Sequence, residues 1–200
     1  MVNSDGEVSL PPTVSQTVGP YFHIGLGWLF GDRVAEVGVP GRHIVIEGRV
    51  LDGRGEPVPD ALLEVWQADA SGNYARALSR LDDQQATCTP TGFHGFARVP
   101  TNADGGFRFA TVKPGRVPAP DGGTQAPHIL VALFMRGWLR HAVTRIYFSD
   151  ESSNAEDLVL GRVPAARRST LIARTKPAGA DVFEWNVFLQ GPHETVFFRD

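Results

Sequence analysis

Cysteine is almost missing from this chain. Cys88 is the only one in 200 residues, so an internal disulfide framework is excluded and a reducing compartment fits. No apolar run approaches the roughly 20 residues that a membrane-spanning helix needs. The opening Met–Val–Asn–Ser–Asp–Gly–Glu lacks a basic stretch followed by an apolar one, so no signal peptide is evident and the cytoplasm is the expected location. Neither sign of charge dominates. A formal charge of −3 gives no reason to expect nucleic acid or an anionic membrane as partner, and the densest basic pair, Arg167 and Arg168, reads as solvated surface. No Gly–x–Ser–x–Gly elbow supports a serine hydrolase, and no glycine-rich phosphate loop follows a strand. The six histidines (His23, His43, His94, His128, His141 and His193) form neither His–x–His nor His–Glu–x–x–His. Tyrosine is scarce as well: Tyr21, Tyr74 and Tyr147.

Glycine and proline are plentiful, at 22 and 15 residues, and they divide the chain into short runs with strand character. Residues 43–51 are rich in β-branched side chains. In 61–68, Leu63, Val65 and Gln67 share one face, and Leu62, Glu64 and Trp66 the other. Residues 106–112 alternate, 128–134 and 142–148 are apolar strand candidates, and 182–189 places Phe183, Trp185 and Val187 together. Turn signals lie at 52–55, 102–106 and 120–123. Helical patterns are confined to 153–160, 163–173 and part of 28–37. Many short strands joined by Gly/Pro turns predict a mainly β protein, an antiparallel or mixed β-sandwich with short helices and long loops. A single domain over 1–200 suits the length, with an unpatterned, proline-containing arm at about 1–20. Trp66 and Trp185 are expected in the core, and Glu64 is expected to be exposed.

The chemistry-bearing residues stand in an ordered frame. Trp–Gln–Ala–Asp at 66–69 is followed by Gly72, Asn73 and Tyr74, then Lys–Pro–Gly at 113–115, then Ala126, Pro127, His128, Ile129 and Leu130. This order resembles the intradiol ring-cleavage dioxygenases, and the likeness runs from Ser–Gln–Thr–Val–Gly–Pro–Tyr at 15–21 to Glu–Thr–Val–Phe–Phe at 194–198. Members of that family hold a ferric ion with two tyrosines and two histidines. The resemblance assigns those four ligand positions to Tyr74, Val117, His128 and Leu130. Fe(III) is a hard cation that favours anionic oxygen donors. Valine and leucine donate nothing, so the resemblance implies that this chain binds no metal itself and that Tyr74 keeps a neutral phenol.

The resemblance further implies a homologous beta chain that carries the Fe(III), paired with this alpha-type chain as a pseudo-two-fold unit within a larger oligomer. The implied activity is intradiol cleavage of 3,4-dihydroxybenzoate by O2 to 3-carboxy-cis,cis-muconate, with no catalytic residue in this chain alone. Its implied contribution is a wall of the substrate pocket at the subunit interface: Thr17, Gly19, Pro20 and Tyr21. The Gly–Pro turn has little bulk and lets backbone approach a planar acid closely. Arg136, which closes the apolar run from His128, is a candidate for the interface or for charge near the substrate carboxylate. Two alternatives stand beside this one: a non-enzymatic scaffold or aromatic-acid-binding module, and a self-sufficient dioxygenase with rearranged ligands.

Overall fold

The computed structural model describes residues 24–75, 92–119, 122–177 and 179–199, together with Val14, Thr17 and Gly19. Cys88, Pro20, Tyr21 and most of the expected N-terminal arm lie outside the described residues. The strands are β1 (His43–Leu51), β2 (Leu62–Gln67), β3 (Phe96–Pro100), β4 (Gly106–Val112), β5 (Val117–Pro118), β6 (Thr124–Gln125), β7 (Ile129–Phe134), β8 (Ala142–Phe148), β9 (Ile172–Lys176), β10 (Gly179–Glu184) and β11 (Val187–Phe188). Nine of them form one sheet in the order β11-β1-β10-β9-β8-β7-β2-β3, with β4 on the other edge of β1; β5 and β6 form a separate hairpin. Pairing is mixed. β1 is antiparallel to β4 but parallel to β10 and β11, and β8 is parallel to β9.

The sandwich follows from alternation. Ile44 and Ile46 of β1, Leu63 and Val65 of β2, Phe107 and Phe109 of β4, Val131 and Leu133 of β7, and Phe183 of β10 bury their side chains in one shared core. The two ends of the sheet therefore cover each other, the arrangement that shelters one face of each strand from water. The expected grouping of Phe183, Trp185 and Val187 holds, because all three are buried in that core.

One glycine decides how the sheet closes. The parallel partner of β1 is broken between β10 and β11, where the Trp185 amide donates to the Glu47 carbonyl at 2.9 Å. A Cβ on Gly48 would lie 1.7 Å from the Trp185 carbonyl oxygen. The close crossing needs a residue without a side chain.

The helices are shorter than their sequence patterns. Residues 153–160 divide into a 3-10 turn (Ser152–Glu156) and α1 (Leu158–Arg162). The pattern over 163–173 gives a 3-10 segment, Ala165–Leu171, after which Ile172 and Ala173 pass into β9. Near 28–37 there is only one 3-10 turn, Gly27–Leu29. None of the described helices is long and apolar enough to cross a membrane.

Candidate functional site

The first aligned tyrosine is held by a tight turn after β2. The Asp69 carboxylate accepts the amides of Ser71 at 2.8 Å and Asn73 at 2.9 Å, while its backbone pairs with Gly72 and Asn73. This Asx-type turn returns the chain so that Tyr74 bridges Ala68 and sets its ring against Trp66, centroids 4.7 Å apart. The Lys–Pro–Gly turn closes over it. The Gly115 amide donates to the Asp69 carbonyl at 2.8 Å, and a Cβ on Gly72, whose φ is +83°, would sit 2.0 Å from the Arg116 carbonyl oxygen. These glycines thus have a mechanical reason: two turns dock backbone to backbone.

Val117 follows in β5, buried, and pairs in register with Gln125 of β6. His128 precedes β7 and is also buried, with Nδ1 at 2.8 Å from the Ala126 carbonyl oxygen. Leu130 sits two residues on, directly between Trp66 of β2 and Arg145 of β8. Residues opposite one another across antiparallel strands share a face. Phe96, Trp66, Leu130 and Arg145 therefore form one row across four strands. Trp66 is 45% exposed on this outer face, which corrects its expected place in the core. Leu62, assigned to the same outer face, is nevertheless buried. Glu64 is not freely exposed either: its carboxylate lies 2.9 Å from Nε of Arg98, its cross-strand partner.

Four residues that the sequence did not single out as a group complete the site. Arg145 Nη1 donates to Gln125 Oε1 at 2.7 Å and to the Tyr147 hydroxyl at 3.4 Å. The Tyr147 hydroxyl donates in turn to Asp157 Oδ1 at 3.1 Å. Asp157 also caps α1 through the Leu160 amide and accepts the Ala126 amide, both at 2.8 Å. The available signal was a charged residue inside an apolar strand, two positions before a tyrosine.

The donor set does not suit a ferric ion. Burial pushes the Tyr74 phenol above its ordinary value, with the positive Arg145 opposing it. Burial pushes His128 below the usual imidazole range, and its contact with Ala126 acts the other way. Tyr147, the remaining described tyrosine, is pushed far up by burial, and its hydroxyl is already engaged by Arg145 and Asp157. It offers no replacement phenolate. One phenol oxygen and one imidazole, with no donor atom at Val117 or Leu130, are a poor donor set for a hard trivalent cation.

A family model described as Dioxygenase matches residues 31–191. The chain is 45% identical over 204 residues to the alpha chain of protocatechuate 3,4-dioxygenase from Burkholderia cepacia, covering 95% of this chain and 98% of the relative. The chain belongs to the intradiol dioxygenase family. It is also 36% identical to the beta chain of the same Burkholderia enzyme, over 80% of this chain and 69% of that one. The dioxygenase domain of a dioxygenase–carbohydrate-binding fusion from Streptomyces sp. SirexAA-E superposes with a TM-score of 0.61 at 26% identity, covering 93% of this chain and 100% of that one. Within the intradiol dioxygenases, similarity to both an alpha and a beta chain agrees with an alpha-beta assembly.

The other expected site residues are spread further. Arg136 lies in the turn after β7, at the opposite end of that strand from His128, and its Nε pairs with Asp60 Oδ2 at 2.7 Å. Thr17 Oγ1 accepts the Gly19 amide at 3.2 Å, and Gly19 has φ +64°, a turn conformation that suits glycine. Arg167 and Arg168 are less free than expected: Arg167 reaches Glu194, and Arg168 donates to the carbonyls of Val163 and Gly161.

Proposed function

We propose that this chain is the iron-free alpha subunit of a protocatechuate 3,4-dioxygenase, in which a homologous beta chain holds the Fe(III). One observation carries the reading. Two of the four aligned ligand positions are apolar, Val117 and Leu130, in a chain of which 95% matches an alpha-chain relative at 45% identity. The complex cleaves 3,4-dihydroxybenzoate with O2 to 3-carboxy-cis,cis-muconate, and the oxidative chemistry belongs to the partner's metal site.

The work of this chain is shape and assembly. Thr17, Gly19, Pro20 and Tyr21 wall one side of the partner's pocket, where a Gly–Pro turn lets backbone approach the flat substrate. Arg136 serves the interface or the substrate carboxylate. Its pairing with Asp60 supports this only as far as it is easily exchanged: the guanidinium side chain is 66% exposed, and such a surface pair contributes roughly 0–1 kcal/mol. Exposed apolar side chains at Ile24, Trp28 and Val37 supply surface of the kind that a partner covers.

Co-expression with a beta chain tests the reading. Protocatechuate-dependent O2 uptake should be absent from the purified lone chain and present in the co-purified pair. Uptake by the lone chain, or a stable pair without any, would contradict it.

A further inference from the structure

The two positions that have lost their donors are not simply vacated. Val117 pairs in register with Gln125, and Leu130 pairs in register with Arg145. A 2.7 Å hydrogen bond from Arg145 Nη1 to Gln125 Oε1 then joins the two partners. The guanidinium is thus tied across both missing corners of the aligned ligand set. The same Nη1 reaches the Tyr147 hydroxyl, and Tyr147 packs its ring 5.8 Å from that of His128. The hydrogen-bond acceptors of Arg145 are these neutral oxygens, and the group also lies over the Phe198 ring at 6.0 Å.

We propose that Arg145, anchored by Gln125, is the resident cation of this relic metal site and itself bars a ferric ion from it. The inference rests on the reading that Tyr74, Val117, His128 and Leu130 are the counterparts of the family's ligands. It goes beyond that reading because it makes metal exclusion an active property of a fifth residue. A half-buried positive charge repels a trivalent cation strongly where water screens it poorly. It also gives the surviving Tyr147 hydroxyl a fixed positive partner at 3.4 Å. The substitution of a tethered cation for a bound one explains how so many polar side chains persist around two apolar replacements without a metal.

The test restores the donors and varies the cation. Full-length Val117→Tyr/Leu130→His is prepared in complex with the beta chain, alone and combined with Arg145→Gln or Arg145→Lys. Iron per alpha-beta pair and tyrosinate-to-iron charge-transfer absorption are measured. With Arg145 kept, or with the charge-conserving Arg145→Lys, the iron content should stay at that of the unaltered complex; with Arg145→Gln it should double, and the absorption should rise with it. A doubling while Arg145 is still present overturns the proposal, because donor loss alone would then explain exclusion. So does no extra iron in an Arg145→Gln complex that co-purifies with a native far-UV spectrum. Should the doubly restored chains fail to fold, Leu130→His alone, with and without Arg145→Gln, still decides: added Fe(III) should bind the Arg145→Gln form and not the form that keeps Arg145, and equal binding by the two overturns the proposal. Iron in the unaltered lone chain would be a different failure, that of the iron-free-subunit reading.

Discussion

Asp157 ties three segments of the site together, and removing it has a size that the structure sets. Its carboxylate is buried and accepts three hydrogen bonds: from the Leu160 amide at 2.8 Å, the Ala126 amide at 2.8 Å and the Tyr147 hydroxyl at 3.1 Å. Asp157→Ala deletes the cap of α1, worth about 1 kcal/mol. It also leaves two buried donors unmet, each costing roughly 1–3 kcal/mol. Because the three share one acceptor group, they are not fully additive, and a total of about 3–5 kcal/mol is expected. Asp157→Asn keeps one acceptor oxygen but turns an NH2 towards a donor on the other side, so about half of that loss is expected. Urea unfolding followed by circular dichroism measures both. With a slope near 2 kcal/mol per molar, Ala should lower the midpoint by about 2 M and Asn by about 1 M, at unchanged slope. A shift below about 0.5 M for Ala, or equal shifts for both, would refute the reasoning.

Gly48→Ala should destabilise by about 3 kcal/mol or more, because its Cβ would collide with backbone at the Trp185 crossing and not with a movable side chain; the same unfolding assay checks it. The acid limb of stability should depend on Asp150. Burial alone would push its carboxyl up, but Lys113 and Arg42 hold it below the ordinary carboxylate range. A folded value below the unfolded one means that the contribution is complete above about pH 4 and is lost as pH falls through the folded value. Asp150→Asn should therefore lower stability at neutral pH and flatten its fall below about pH 4, as read from midpoints at several pH values. Arg136→Ala should weaken assembly or raise the KM for protocatechuate; if neither changes by twofold, the role given to Arg136 is wrong.

The sequence is most legible where alternation is uninterrupted. The patterns over 43–51, 106–112 and 142–148 coincide with β1, β4 and β8, because each buries one face against the core. The strand β3 has no such signature: it lies at an end of the sheet, and its Phe96 faces outward and its Pro100 ends it. Ile172 and Ala173, which open β9, read in sequence as the end of a helix. The residues of β9, Ile–Ala–Arg–Thr–Lys, carry little apolar alternation, and pairing with β8 and β10 decides their conformation. Trp66 misleads for a related reason. A large ring suggests burial, but the period of β2 puts Leu63 and Val65 inward and leaves Trp66 on the outer face with Tyr74. The aligned ligand positions are legible as residue types. That Gln125 and Arg145 stand opposite two of them is not, because cross-strand register between distant segments is a property of the folded sheet.

The central claim is that the iron of the assembly owes nothing to donors in this chain. It is tested most directly by placing Tyr74→Phe and His128→Gln together in this chain, co-purifying it with the beta chain, and measuring iron per pair and the visible tyrosinate-to-iron band. The account predicts that both match the unaltered complex. Loss of iron or of the band in proportion to the altered chain would contradict it, and would return Tyr74 and His128 to the role of ligands.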